Sequence, residues 1–379
     1  MSGQPPTGRG APGGGRGGAV AGAAPAAAGE TTTVPTPHET RRAGALVSVI
    51  VPTYNYAHFI GEMFGSLARQ TYARWECVVV DDGSTDDTRE VVARHADRDP
   101  RIRYVRQENA GQPAALNTGL RNFSGDYLQI LDADDLIEAR KLEAQVACLD
   151  ARPEVDIVYG GVRFFSADAG AAGEPAEWVD DKLRLPEGSH AGRDALLRLL
   201  RANVLTVNSA LLRRRVVETV GFFDETLSPI QDWDYWLRAA LAGMRFRFEE
   251  FEEADALVRA HRTSASANRA RMYAAALRLR EKFAGLTADA GLLAFNREMS
   301  AVDHGYLGIE EAAGGEVLKG MRRLVRAARL GGHPRWRAKW LFCALAAPFV
   351  SEARLREMVT ASVSQGAFGL RRKSGPGAA

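Results

Sequence analysis

An α/β fold, a mainly parallel sheet flanked by helices with a helical extension behind it, is what this sequence predicts, on three observations. From Leu46 onward, short β-branched runs alternate with stretches whose apolar residues repeat at helical spacing. Each run closes on a turn signal, and three of the first four close on polar, mostly acidic residues. Parallel neighbours need right-handed crossover connections, so such a sheet is covered by helices on both faces. Ligands of open sheets of this kind bind beyond the carboxyl ends of the strands, which is where the acids fall.

The elements follow in order. Val47 to Val51 reads as a strand ending at Pro52-Thr53-Tyr54-Asn55, and Ile60, Met63, Phe64 and Leu67 then repeat at helical spacing. Cys77 to Val80 is the second strand, ending at Asp81-Asp82-Gly83-Ser84. Ser84 and Thr85 have the chemistry to cap the helix that carries Val91 and Val92. Ile102 to Val105 is the third strand. Tyr127 to Leu131 is the fourth, ending at Asp132-Ala133-Asp134-Asp135, and Leu142, Val146 and Leu149 mark the helix behind it. The middle of the chain reads as a strand from Asp156 to Phe165, a Gly-Ala-rich loop near Ala169 to Gly173, a helix near Ala195 to Leu200, and a segment Val204 to Leu212 around Asn208 and Ser209. A strongly amphipathic helix is expected over Gln231-Asp232-Trp233-Asp234-Tyr235-Trp236-Leu237-Arg238. Beyond Ser266 the chain reads as helical and basic as far as Leu370.

Composition narrows the function. Lys plus Arg number 49 against 47 Asp plus Glu, which lacks the basic excess of a dedicated nucleic-acid binder, so no nucleic-acid partner is expected. Three widely spaced cysteines, Cys77, Cys148 and Cys343, suit neither a disulfide framework nor a zinc site, and a reducing, cytoplasmic setting fits them best. No signal-peptide pattern is visible, and the apolar run Trp340 to Val350 is too short to span a bilayer. Residues 1–44 are a Gly/Ala/Pro-rich tail that cannot bury enough apolar surface to offset chain entropy.

Alternate carboxylates at a strand end, Asp132 and Asp134, are costly to bury unless paired with a cation, and hard oxygen ligands suit Mg²⁺ or Mn²⁺. The same residues also suit a solvated turn with capping aspartates. Asp81 or Asp82 can accept hydrogen bonds from a base or ribose, with Gly83 letting the backbone approach, yet Asp-Asp-Gly-Ser is equally a strand-to-helix turn.

Taken as an ordered set, these segments are more specific. Val-Ser-Val-Ile-Val-Pro-Thr-Tyr-Asn from Val47, Gln70-Thr71-Tyr72 leading to Trp75-Glu76, Asp-Asp-Gly-Ser-Thr-Asp from Asp81, Asn109-Ala110-Gly111-Gln112 through Gly119, and the acids to Asp135 resemble family 2 glycosyltransferases. The resemblance implies a GT-A, Rossmann-like domain over 45–268, with a nucleotide-binding half at 45–150 and an acceptor half at 151–268. A helical basic extension (269–370) and a flexible tail (371–379) complete the expected organisation. It further implies that Pro52, Thr53 and Tyr54 line the base pocket with Asp81 or Asp82. Asn109 and Gly111 would lie beside the donor, Asp132 at the ribose, and Asp134 at the metal.

On the acceptor side the resemblance makes Asp232 the general base, with Gln231 standing where relatives carry an acid. Asp234 and Asp224 nearby would raise a carboxylate pKa. Arg259-Ala260-His261-Arg262-Thr263-Ser264-Ala265-Ser266 matches the family's Arg-x-His-x-x-Ser-x-Ser element, which implies Arg259 and Gln231 as diphosphate or acceptor contacts and His261 as a further metal ligand. The implied activity is inverting, metal-dependent transfer of a single sugar from a nucleoside-diphosphate sugar, a UDP-sugar favoured, to a hydroxyl on a lipid-linked or glycan acceptor in polysaccharide assembly. A GT-A domain that binds a nucleotide sugar without turnover is the alternative. Seven Lys or Arg between Met321 and Trp340, with no acid, suit peripheral contact with the anionic inner face of a membrane, or a helix packed on the domain with a solvated basic face.

Overall fold

The computed structural model describes residues 44–166, 178–180, 188–260, 268–351 and 353–354. The expected N-terminal tail, the Gly-Ala loop at 169–173, the end of the basic extension and the last residues lie outside them. Strand β1 (Val47–Thr53) is buried along its whole length, as a run apolar on both faces must be in the middle of a sheet. Ile50 points to one side, and Val47, Val49 and Val51 point to the other. Helix α1 (Ile60–Ala68) follows, then β2 (Trp75–Asp81), α2 (Thr88–Ala96), β3 (Ile102–Arg106), α3 (Gln112–Asn122) and β4 (Tyr127–Ile130). Ser84 and Thr85 are not the caps of α2, which begins three residues later behind Asp87, because both are held in the loop described below.

After β5 (Leu136–Ile137) and α4 (Lys141–Ala151), the single strand expected over 156–165 is two. β6 (Ile157–Tyr159) and β7 (Val162–Ser166) part at Gly160-Gly161 and enter different sheets. Then come β8 (Trp178–Asp180), β9 (Gly188–His190), α5 (Gly192–Arg201), β10 (Ala210–Arg213), α6 (Arg214–Val220), α7 (Gln231–Leu241), β11 (Phe246–Phe248) and β12 (Ala256–Ala260). The large sheet runs β3-β2-β1-β4-β10-β6-β11-β9, and the small one runs β5-β12-β7-β8. The first four strands of the large sheet are parallel, and β10 is antiparallel to both of its neighbours, so the sheet is mixed beyond β4.

One face is covered by α1, α2 and α4 and the other by α3, α5 and α7. Helix α7 is not the half-exposed helix that its charged start suggested. Trp233, Asp234, Tyr235, Trp236 and Leu237 are all buried, because the helix is enclosed by the sheet, α5 and its own C-terminal neighbours. Helices α8 (Arg269–Ala284), α9 (Ala290–Ala313), α10 (Val317–Leu330) and α11 (Pro334–Ala346) form the helical extension around a core of their own.

Gly308 sets how closely α9 and α10 approach. A Cβ there would stand 2.8 Å from the Gly320 carbonyl oxygen, and backbone cannot step aside. Helix propensity alone would make Gly308→Ala stabilising by about 1 kcal/mol. The crowding reverses the sign, and a loss of about 1–3 kcal/mol is expected from overpacking. Urea unfolding of the variant measures it, and a gain in stability would show that the two helices can part freely.

Candidate active site

The carboxyl ends of β1, β2 and β4 meet at one edge of the large sheet, and each ends in a loop tied to the next. Thr53 accepts the Asp82 amide at its carbonyl (2.9 Å), while its own hydroxyl is buried and makes no hydrogen bond among the described residues. Asn55 takes a positive φ of 58°, where Asn is better tolerated than most residues. From there its side chain accepts the Thr85 amide (2.8 Å), and its backbone donates to the Ser84 hydroxyl (2.9 Å). Tyr54 between them is 45% exposed.

The two aspartates after β2 hold the loops. Asp81 is fully buried, and its carboxylate accepts from the Ser84 amide (2.7 Å), from the Tyr104 hydroxyl and from Arg106 (3.5 Å). Asp82 accepts from Gln107 (2.7 Å) and from the amides of Ala110 (2.9 Å) and Gly111 (2.7 Å). Asn109 donates to the Asp82 carbonyl (2.9 Å). Gly83, at a φ of +81°, stands where an added Cβ would be 3.0 Å from the Asn109 amide. Asn109 and Gly111 are therefore both bonded to Asp82 and bring the start of α3 against the β2 loop.

The acids after β4 surround one side chain, Asn208, to which the sequence assigned no role. Asn208 comes from the 3₁₀ turn Val207–Ser209 just before β10. Its amide nitrogen donates to Asp135 (2.6 Å) and Asp132 (3.2 Å), and its oxygen accepts the Asp132 backbone amide (2.8 Å). Beneath it, buried Lys141 donates to Gln129 (2.6 Å) and Gln145 (2.7 Å), and these glutamines donate to the carbonyls of Asn208 (3.1 Å) and Ser209 (2.8 Å). Burial pushes the Lys141 ammonium down to about 7. Nothing in the spacing announced this layer, since its members come from three separate elements.

Negative charge is crowded here. Burial first, and then the neighbouring Asp134 charge, push the Asp132 carboxyl up to about 7; the same causes raise Asp135 well above the ordinary carboxylate range. Burial and the charges of Asp134, Asp132 and Asp135 raise the Tyr56 hydroxyl, which places a further unforeseen side chain against the cluster. Arg259 lies behind it. Its backbone amide donates to Asp135 (2.7 Å), and its guanidinium donates to the Asp134 carbonyl (2.8 Å) and to Glu62 (2.8 Å) between the rings of Phe59 and Phe165. Arg259 is thus committed to holding β12 against the acidic turn. His261 lies outside the described residues.

The start of α7 faces this cluster. Gln231 donates to Gln112 (2.9 Å), which donates to Asp132 (2.8 Å), so a chain of amides joins α7 through α3 to the strand end. The Gln231 carbonyl oxygen is buried and without a hydrogen-bond partner among the described residues. Asp232 accepts from Asn203 (2.8 Å) and from the Trp233 amide (2.7 Å), and it is near enough for its charge to raise Asp132. Burial pushes the Asp232 carboxyl up to about 6. The acidic neighbours expected to do this do not. Asp234 is buried between Arg238 (2.7 Å) and Lys282 (2.7 Å), and Asp224 is also paired with Lys282 (2.7 Å).

Among the described residues no group of three His, Cys, Asp or Glu side chains forms a ready cage for a metal ion. The donor set still suits one. The Asp134 charge raises Asp132, Asp135 and Tyr56, a concentration of negative charge that a hard cation held by Asp134 would relieve, with water and ligand phosphate completing its shell.

An acid held more protonated in the folded chain than in the unfolded one destabilises the fold as pH rises from about 4, its unfolded value, through about 6, its folded value. Asp232→Asn, of equal size, is therefore expected to raise Tm above about pH 6, with the gain vanishing toward about pH 4. Thermal melts across this range check it; a pH-independent difference would put the cause outside Asp232 titration.

Residues 48–221 match the model of Glycosyl transferase family 2. An uncharacterized glycosyltransferase of Rickettsia felis is 35% identical over 196 residues, covering 51% of this chain and 31% of that protein. The chain thus spans about a third of that relative's length. The Escherichia coli protein WfgD, a UDP-Glc:alpha-D-GlcNAc-diphosphoundecaprenol beta-1,3-glucosyltransferase, is 40% identical over 116 residues, 30% of this chain and 45% of its own. The crystal structure of Staphylococcus aureus TarS 1-349 in complex with UDP-GlcNAc superposes with a TM-score of 0.56 over 83% of this chain and 91% of that one, at 18% identity. The mannosyltransferase PcManGT of Pyrobaculum calidifontis, solved with GDP-Man and Mn²⁺, gives 0.52 over 85% and 87%, at 22% identity. The GT-A arrangement expected for the sheet and the helical extension behind it are both present.

Proposed function

From the premise that residues 48–221 are a family 2 glycosyltransferase domain, we propose that this chain transfers one sugar, with inversion, from a nucleoside-diphosphate sugar to a hydroxyl acceptor. The observation that carries the reading is Asp232, a carboxyl held by Asn203 and the Trp233 amide, near enough to the strand-end acids for its charge to act on Asp132, and raised to about 6. A base with that pKa is ionised near neutral pH yet basic enough to take a proton in a transition state.

The bond changes balance in one step. The acceptor oxygen forms a bond to the anomeric carbon as the bond from that carbon to the diphosphate oxygen breaks. The acceptor proton passes to Asp232, and the nucleoside diphosphate leaves with the electron pair. Attack opposite the leaving group inverts the centre. Asn203 and the Trp233 amide fix the Asp232 carboxylate while leaving lone pairs to receive the proton. The Gln231–Gln112–Asp132 chain holds that base in register with the nucleotide side. Exposed Tyr54 offers its ring to the base beside the unpartnered Thr53 hydroxyl, and Asp132 takes the ribose. Asp134 would hold a Mg²⁺ or Mn²⁺ ion, which would supply charge neutralisation for the departing diphosphate.

A UDP-sugar is the favoured donor, supported by the UDP-sugars in the names of WfgD and of the TarS complex. The lipid-diphosphate acceptor in the name of WfgD supports a lipid-linked or glycan hydroxyl here, in polysaccharide assembly.

Two measurements test this. Asp232→Asn is expected to lower kcat by about 10²- to 10⁴-fold while donor affinity stays near wild type. Asp234→Asn is expected to lose stability instead, on the order of 1–3 kcal/mol, because it removes a charged partner of Arg238 and Lys282. If Asp232→Asn keeps more than about a tenth of the turnover, the base lies elsewhere. Separately, UDP is expected to raise Tm only with Mg²⁺ or Mn²⁺ present, and Asp134→Ala to erase that dependence. Equal stabilisation in EDTA would remove the metal from the reading.

A further inference from the structure

Helix α11 carries an apolar stripe on its outer side. Leu341, Phe342 and Leu345, with Phe349 just past the helix end, are 46%, 64%, 72% and 86% exposed. With exposed Ala338 they fall three, four, seven and eleven residues on, one face of a helix. The opposite side, Trp340, Cys343, Ala344 and Ala347, is closed against α8, α9 and α10. Three of the five largest exposures among the bulky apolar residues of the described chain lie in this one stripe, so it is a patch and not a scatter.

What surrounds the stripe says what covers it. No acidic residue occurs from Val317 to Ser351. Exposed Arg335 and Arg337 stand in the first turn of α11, and Arg335 continues the stripe itself, three residues before Ala338. On α10, exposed Arg322, Arg326 and Arg329 share one face, opposite buried Leu324, Ala327 and Ala328. Lys339 lies over the rings of Trp336 and Trp340, with its ammonium 5.0 Å from each. An occupant must therefore present negative charge to the arginines and hydrocarbon to the phenylalanines. Among the described residues no helix is long and apolar enough to cross a membrane, so the stripe is suited to lie in an interface.

We propose that α11, with the cations of α10, seats this protein on the surface of a bilayer containing anionic lipid. Phe342, Leu345 and Phe349 enter the boundary between headgroups and acyl chains, and the arginines contact the lipid phosphates. This assignment does not rest on the transfer reaction.

The test uses the full chain with vesicles of phosphatidylcholine alone or mixed with phosphatidylserine, read by sedimentation at low and high salt. Binding to the mixed vesicles, weakened by salt, is expected. The double variant Phe342→Ser, Leu345→Ser should lower the partition coefficient by at least about tenfold, since each side chain loses its burial in the boundary. Arg335→Gln with Arg337→Gln should lower it by about fivefold per charge removed. All four residues are exposed, so both variants should melt as wild type does. No binding to the mixed vesicles, equal binding to the neutral ones, or binding unchanged by both variants would overturn the proposal. So would light scattering that shows a dimer dissociated by the Phe342/Leu345 change, which would make the stripe a contact between two copies.

Discussion

The site hangs on the cost of keeping carboxylates out of water. Asp132 and Asp135 leave β4 in one turn, and a single amide, that of Asn208, donates to both while accepting the Asp132 backbone. An ionised group buried without such partners costs several kcal/mol, so Asn208, with Gln112 at Asp132 and the Arg259 amide at Asp135, offsets the cost of this turn. Asn208 in turn depends on a buried layer of Lys141, Gln129 and Gln145 that bonds to the carbonyls of its 3₁₀ turn. The antiparallel strand β10 begins directly after that turn, so the point where the sheet stops being parallel is also the point that furnishes the donor.

The start of α7, opposite this turn, is positioned by packing. Trp233 and Trp236 are fully buried, and the Trp233 indole donates to the Leu199 carbonyl (2.6 Å), which locks α7 against α5. With α7 packed in this way, Asp232 at its start meets Asn203, just beyond the end of α5. The same enclosure removes water from the carboxyl and raises it. Stability is thus given up at Asp232, the residue proposed as the base, the usual exchange at a strained or charged site. Asp234, two residues on, takes the opposite part: flanked by Arg238 and Lys282, it ties α7 to α8.

The helical extension is not an appendage to this arrangement. Arg280 of α8 is buried, pairs with Asp303 of α9 and donates to the Leu200 carbonyl of α5 (2.9 Å), so the extension grips the helix that precedes Asn203. Lys282 reaches both Asp224 and Asp234. The helices whose outer face meets the surroundings are packed on these, through the close approach of α9 and α10 at Gly308 and the edge-on contact of Tyr306 with Trp340.

Local pattern carried the first half of the fold. Buried parallel strands read as unbroken apolar runs, turns read as Asp, Gly and Asn, and crossover helices read as spacing, so β1 to β4 and α1, α2 and α4 were legible within a few residues, whereas α3 was implied only by the family resemblance. The strand-end acids were legible for the same reason, since each follows a readable strand, and the parallel pairing of β2 and β4 with β1 then brings Asp81, Asp82, Asp132 and Asp134 to one edge. What the sequence could not show was which of them are consumed by the fold. That Asp82 is spent on the amides of Ala110 and Gly111, that Arg259 is spent on Glu62, and that Asn208, Gln112 and Asn203 serve the acids follows from contacts between residues far apart in the chain. Such partners leave no period or spacing behind. The split at Gly160-Gly161 and the burial of α7 on all sides were decided in the same way, by neighbours that only the assembled sheet supplies. Propensity and periodicity act over a few residues, whereas desolvation and ion pairing act on whatever the fold brings near, and the chemistry of this protein belongs to the second kind.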